Sequence, residues 1–362
     1  MKNKITSMQV ATIAYFAMLS CCIGISTHNT IQIDREDSWI SILIGFIIGF
    51  IPLLIFININ NYKTNLSIVE KIEYLFGKWI GKGINTILAI SVLFMITLLF
   101  YDLNNFVSSQ YINKTPTWFI SILFLIPIIY CITKNIKVLG RTAFILFMIS
   151  ILLLFLSIFG LIFQVHTEYI FPILKNGFSD VFKGALSYTA YNLFSIYLIM
   201  TIPKDNMLDK EKLNKRIIAF YILGNLSMFI MIYFLITVFG IEIANLYQYP
   251  EFHLLKRVSI FGFIDRVEST LSLRWLFYIF ITICIGLFYF KEYIRVTFNI
   301  KYNNLNNFII MLISVFVTII STNLFSNNTI SNYFVMNILP SIILIIFTII
   351  PIFILIKLDN TK

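Results

Sequence analysis

The chain has 362 residues, 59% of them hydrophobic and only 12% charged, with a mean hydropathy of +0.89. That composition excludes a soluble enzyme. The net charge of +10 does not indicate a nucleic-acid binder, because the basic residues follow a topological pattern instead.

Apolar runs of about 20 residues, the length that crosses a bilayer, recur along nearly the whole chain. We read ten, at roughly 8–31, 38–57, 82–102, 117–133, 142–164, 182–202, 216–240, 263–290, 305–325 and 333–356. The connections are too short for a separate domain, so residues 1–362 are expected to form a single transmembrane domain. Most of the 27 Lys and Arg residues fall on alternate connections, with clusters such as Lys134, Lys137 and Arg141, or Lys210, Lys212, Lys215 and Arg216. The positive-inside rule then places both termini in the cytoplasm and requires an even number of spans. No small-residue cleavage site follows the first run, which is therefore expected to remain as span one.

Span one carries Cys22-Ile23-Gly24-Ile25-Ser26 near its centre. Gly24 among small and hydroxyl side chains is either a helix break facing a cavity or a close helix–helix contact. Span two carries Gly45 and Gly49, a spacing that lets a neighbouring helix approach closely. Between Asn65 and Lys82, Ile68, Ile72, Leu75, Phe76 and Trp79 recur at helical spacing, which predicts an interfacial amphipathic helix. Cys21, Cys22, Cys131 and Cys284 all lie in or beside apolar spans and read as packing residues, not as a disulfide framework.

Span six is interrupted by Ser187-Tyr188-Thr189-Ala190-Tyr191-Asn192. A buried asparagine needs hydrogen-bond partners, so this segment is either a satisfied interhelical contact or part of a binding site. The external loop before span eight, Asn245 to His253, is aromatic enough to lie against the membrane or to cover a vestibule. Span eight opens with Asp265, Arg266 and Glu268, an outer-end ion cluster, and then carries Arg274 two turns deeper. A guanidinium at that depth is costly and needs a partner. Asp102, Asn192 or a bound anion are the candidates, and its role is either ligand binding or a structural counter-ion.

Five spans lie on either side of the loop before span six, giving repeats at about 8–164 and 182–356 in opposite orientation. Spans one and six hold matching positions, and both look interrupted, which points to an inverted-repeat transporter with a central site. There is no phosphate loop, helical zinc motif or nucleophile elbow. His28, His166 and His253 fall in separate external regions, so no metal, cofactor or catalytic activity is expected.

Several further segments, weak singly but ordered together, carry a family resemblance: Ile5-Thr6-Ser7-Met8-Gln9, Asp37-Ser38-Trp39-Ile40, Phe76-Gly77-Lys78-Trp79-Ile80-Gly81-Lys82, Thr115-Pro116-Thr117-Trp118, Phe171-Pro172-Ile173-Leu174, Tyr249-Pro250, and Asp265-Arg266 with Trp275. Across nearly its whole length the chain resembles the B subunits of spore germinant receptors, within the amino acid–polyamine–organocation superfamily. The resemblance implies an all-α, LeuT-like 5+5 fold of ten transmembrane helices, with helices one and six discontinuous. It implies a germinant-sensing subunit in the spore inner membrane, bound to an A-type membrane subunit and a C-type lipoprotein. The ligand would be a small nutrient, often an amino acid, held by Cys22, Ile23, Gly24, Ile25 and Ser26 and by Ser187, Tyr188, Thr189, Ala190, Tyr191 and Asn192. The alternative on the same fold is a secondary amino-acid permease.

The chain departs from the family pattern at three points. Cys22 stands where a glycine is usual, Ala190-Tyr191-Asn192 stands for Gly-x-Glu, and Arg274 replaces an apolar residue. Losing a carboxylate and gaining a cation would make the site more receptive to an anionic group, with Arg274 as a ligand contact.

Overall fold

The computed structural model describes residues 4–175, 177–256, 268–300, 304–325 and 327–359, without the side chains of Cys22, Ile23 and Asn304. Asp265 and Arg266, two of the three residues read above as an ion cluster, lie outside the described residues. The described chain is helical throughout, apart from one isolated bridge between Ile5 and Met207.

Apart from two short helices between 241 and 256, the helices overlap the predicted apolar runs. They are α1 Ser7–Cys21, α2 Thr27–Asp34, α3 Ser38–Asn61, α4 Ile68–Gln110, α5 Thr117–Thr133, α6 Ile136–Leu161, α7 Phe178–Ile199, α8 Leu213–Phe234 and α9 Ile241–Ala244. They continue with α10 Pro250–Lys256, α11 Glu268–Thr297, α12 Asn304–Ser321, α13 Asn328–Tyr333, α14 Leu339–Leu344 and α15 Ile350–Asp359. Six helical stretches among the described residues are long and apolar enough to cross a membrane, and Thr117–Thr133 and Leu305–Ser321 are shorter apolar helices.

α1 is the axis of the bundle. Val10 to Cys21 are all buried, and the helix packs against α6, α7, α8 and α11. A helix that is apolar on every side can satisfy itself only in the interior. α11 packs against α1, α4, α6 and α10. By contrast Ile47, Ile51, Leu152, Phe155 and Phe316 are exposed on the outer helices, where lipid would cover them. The Gly45 and Gly49 spacing does permit close approach: a Cβ on Gly45 would meet Ala185 O and the Tyr188 ring at 2.8 Å, and one on Gly49 would meet the Tyr221 hydroxyl. α3 accordingly packs along α7.

The predicted interfacial helix is the start of α4. Ser67 and Glu70 form a capping box at its N-terminus. Gly77, with φ +79°, kinks the chain between Phe76 and the long apolar part of α4, a backbone geometry that a glycine adopts without penalty. Lys71 on this segment is buried, and its Nζ donates to the carbonyls of Ile59 at 3.0 Å and Asn60 at 3.2 Å. These are carbonyls of the last turn of α3, where the Ile59 oxygen also accepts the N–H of the capping residue Tyr62. Lys71→Met is therefore expected to lower stability by about 2 kcal/mol, the worth of a charge-assisted bond to a buried acceptor. Thermal unfolding in detergent micelles checks it, and an unchanged midpoint would show that water already reaches those carbonyls.

One expectation fails. α7 runs without a break from Phe178 to Ile199, through the whole of Ser187 to Asn192. No glycine or proline lies between Ala185 and Ile199 to release the backbone. Thr189 and Ser195 find partners without disturbing the helix, while Ser187 Oγ has none among the described residues. Thr189 Oγ1 donates to Ala185 O at 2.8 Å, and Ser195 Oγ donates to Asn192 O at 2.6 Å. Such back-bonding lets hydroxyls sit inside a helix at little cost. Helix six is thus continuous, whereas helix one is broken.

Candidate functional site

The break in helix one is a wide turn, Cys22–Ser26, between α1 and α2. Gly24 holds φ +80° at its centre and is buried with Ile25 and Ser26. The polar groups released by the turn find unusual partners. Gly24 N–H donates to Glu251 Oε1 at 3.2 Å, and Trp275 Nε1 donates to Ser20 O at 3.4 Å. Thr30 Oγ1 donates to Ser26 O at 2.7 Å, which restarts the helix as α2.

Glu251 belongs to α10, the short helix in the loop before α11. It is fully buried, as are Leu254 and Leu255, and α10 packs onto both the turn and α11. The aromatic loop therefore covers the break, the second of the two arrangements its composition allowed. Burial raises the Glu251 carboxyl above the usual carboxylate range. Beside it, Tyr249 donates from its hydroxyl to Asp102 Oδ1 at 2.9 Å, and its ring packs against Phe106 and Trp275. A Cβ on Gly24 would lie 3.2 Å from that ring and 3.5 Å from Asp102 Oδ2. Only a glycine fits between the loop and α4 here.

Three buried polar atoms around this point have no hydrogen-bond partner among the described residues: Ser26 Oγ, Asp102 Oδ2 and Glu251 Oε2. Buried groups left open in this way cost free energy, so a cluster of them marks a place to be filled. A void of about 20 Å³, lined by Gly24, Ile25, His28, Tyr101, Asp102 and Gln248 among others, lies beside the turn.

The sequence-predicted site residues do not all converge. Gly24 and Ile25 line the void; Cys22 and Ile23 share the turn, but their side chains lie outside the described residues. From α7, Tyr191 reaches the continuation of helix one. Its hydroxyl donates to Val335 O at 2.8 Å, and Asn29 on α2 bonds the same carbonyl at 3.1 Å. Tyr188 turns instead to Asn225 on α8 at 2.6 Å, and Thr189 to Gly45 O on α3 at 3.1 Å. Ala190 and Asn192 are buried in α7, which packs against the turn.

Arg274 is 2% exposed, and its Nε donates to the Tyr278 hydroxyl at 3.1 Å. That hydroxyl also meets Ser150 Oγ on α6 at 3.0 Å, while the Tyr278 ring packs edge-on against Tyr15. Arg274 therefore sits among α1, α6 and α11, alongside helix one before its break. Of the partners expected for it, Asp102 faces Tyr249 instead, and no bond from Arg274 to Asn192 is present among the described residues.

Sequence reasoning missed Tyr249 and Glu251 as site residues and used Asp102 only as a possible partner for Arg274. Asp102 had a legible signal, since a carboxylate inside an apolar span is functional by default. Glu251 had none, because a glutamate in an external loop reads as solvated.

Comparison with known proteins agrees with this architecture. Residues 4–330 match the model of the family described as "Spore germination protein". The chain is 24% identical over 292 residues to spore germination protein YndE of Bacillus subtilis (strain 168), covering 78% of each chain. It is 24% identical over 262 residues to spore germination protein XB of Bacillus anthracis, covering 72% of this chain and 73% of that one. With spore germination protein KB of Bacillus subtilis it shares 21% identity over 235 residues, 64% of this chain and 63% of the relative. Among solved structures, a Na+-coupled sialic acid symporter in a substrate-bound outward-open state superposes with a TM-score of 0.62. That likeness covers 96% of this chain and 77% of the symporter at 11% sequence identity, and shows a shared LeuT-like transporter fold.

Proposed function

Because this chain belongs to the spore germination permease family, a family of multi-pass membrane proteins, we propose that it is the ligand-sensing membrane subunit of a spore germinant receptor. A small nutrient, such as an amino acid, binds at the break in helix one and biases a two-state arrangement of helices that partner subunits read. The partners are an A-type membrane subunit and a C-type lipoprotein in the spore inner membrane. The chain crosses that membrane ten times as two inverted five-helix repeats, about 8–164 and 182–356, with both ends cytoplasmic. Cys22 to Ser26 form one wall of the site, and Tyr191 of α7, which meets Asn29 and Val335, stands at the other.

The observation that supports this reading is the combination at Gly24: an opened helix in the buried centre of a transporter-like bundle, ringed by unfilled polar atoms and roofed by a loop. Hydrogen exchange on the complete receptor tests the proposal. The germinating nutrient should slow exchange in residues 20–30 and 245–256, while inactive nutrients should not. Absence of such protection with every active nutrient would end it.

A secondary permease remains as a second reading because of one further feature. A cavity of about 730 Å³ opens between the ends of α4, α6 and α11 opposite the loop, lined by Glu70, Lys134, Asn135, Lys291, Glu292 and Arg295 among others. Arg295 bridges Glu70 at 2.5 Å and Glu292 at 2.6 Å across it. A cavity at that end would give a transported substrate its exit. Uphill uptake of labelled amino acid into reconstituted vesicles would favour the permease, and its absence alongside ligand protection favours the sensor.

A further inference from the structure

The cavity of about 730 Å³ at the far end of the bundle is within the size range of small-molecule sites. Asn206 lines it, and the Asn206 carbonyl accepts the Ile5 N–H at 3.1 Å. The cavity therefore lies on the face where the chain begins. Among the described residues, none from helix one lines it, so its occupancy is separable from that of the break.

The chemistry of the lining changes along α11. Phe288, with Ile202 from the end of α7, gives the cavity a buried apolar floor. Lys291 follows one turn later, then Glu292 and Arg295 toward the end of the helix. Arg295 is engaged by both acids of the lining. It donates to Glu292 Oε1 at 2.6 Å and Oε2 at 2.8 Å, and to Glu70 Oε1 at 2.5 Å. That leaves the cavity with two further cations, Lys134 and Lys291.

These two converge on the turn between α5 and α6. Lys291 Nζ donates to Ile132 O at 3.3 Å, which fixes its ammonium at the end of α5. Lys134 is exposed two residues further on. Its Nζ stands 5.0 Å from the Tyr130 ring and makes no ion pair among the described residues. α6 then begins at Ile136, and Asn135 and Ile136 also line the cavity. The positive end of the α6 backbone dipole adds to the two ammonium groups.

Basic pockets between transmembrane helices at a cytoplasmic surface suit phosphate head groups. Lysine serves a tetrahedral phosphate as a point charge, whereas a planar carboxylate is best held by a guanidinium, and the one here is already occupied. A bare phosphate would leave most of the volume empty, so the apolar floor suits a phosphate carried on a larger, partly apolar molecule.

We infer that this cavity is a second ligand site, in which Lys134, Lys291 and the start of α6 hold the phosphate of a phosphate ester. A soluble metabolite and the head group of an anionic lipid present that same group. The inference goes beyond the sensing reading and does not depend on it.

The test follows thermal unfolding of the full-length protein in dodecyl maltoside micelles, which carry no phosphate. Sodium glycerol 3-phosphate, phosphatidylglycerol, phosphatidylcholine and sodium chloride are added separately at equal ionic strength. Glycerol 3-phosphate or phosphatidylglycerol should raise the midpoint saturably, and the other two should not. A rise with glycerol 3-phosphate assigns a soluble ester, and a rise with phosphatidylglycerol alone assigns a lipid head group. Lys134→Gln should weaken the apparent affinity at least about tenfold, the loss of one charge-assisted contact, and Lys134→Arg should retain it. Lys134 is exposed at a helix end, so both variants should fold. A midpoint that neither ester moves, an equal rise with chloride or phosphatidylcholine, or a rise that Lys134→Gln leaves undiminished would overturn the site.

Discussion

Gly24→Val is expected to abolish the nutrient response and to destabilise the fold. A β-branched residue at φ +80° carries a backbone penalty of about 1–3 kcal/mol. Its Cβ would also press on Tyr249 at 3.2 Å, and that ring cannot retreat easily. It is bonded to Asp102 through its hydroxyl and wedged against Phe106 and Trp275. Overpacking of this kind costs a further ~1–3 kcal/mol. The two penalties fall on the same few residues, so the loop would lift and the turn would lose its roof. Gly83→Ala is the matched control, since a Cβ there meets nothing within 4 Å and lies within α4. It should stabilise by about 0.5–1 kcal/mol and leave the response unchanged. Melting curves and germination assays on both variants decide the matter. A Gly24→Val protein with the wild-type midpoint and response would show that the turn is not a constrained site.

Arg274→Met should act in the opposite direction on stability. The guanidinium is 2% exposed, yet among the described residues it makes one hydrogen bond, to Tyr278, and Nη1 makes none. A buried charge with so little compensation burdens the fold, and replacing it with an apolar side chain of similar length is expected to raise stability by about 1–3 kcal/mol. Methionine is the informative choice, because alanine would add a cavity penalty to the measurement. A large fall in stability would show instead that the charge is well paired. The response separates the two roles of Arg274. Where it takes a carboxylate of the ligand, the variant needs roughly 10- to 100-fold more nutrient, the equivalent of about 1.5–3 kcal/mol. An unchanged requirement assigns Arg274 to the packing of α1, α6 and α11.

Much of the fold was legible because lipid imposes simple constraints. Each apolar run had to become a helix, since only internal hydrogen bonding satisfies a backbone in hydrocarbon. The close approach at Gly45 and Gly49 showed in the sequence, and Gly24 showed as one of two alternatives, a break or a close contact; the kink at Gly77 did not show. Span six misled for a physical reason. Ser187, Thr189 and Asn192 look disruptive in a list of residues, yet hydroxyls at helical spacing can return their hydrogen bonds to the same helix. Polarity in a span therefore predicts a break poorly unless glycine or proline accompanies it.

The sequence by itself determined that this is a helical membrane protein and where its long helices lie, because hydrophobic length is a local property; at Gly24 it left a break and a close helix contact open, and the tertiary structure chose the break. Only the tertiary structure decided which charges face that opening. Glu251 is buried because its loop folds inward over the turn, Asp102 joins it across more than a hundred residues of chain, and Arg274 lies apart beside Tyr278. The environment of a charge is set by what packs around it, and that is fixed by contacts between segments that no single stretch of sequence contains.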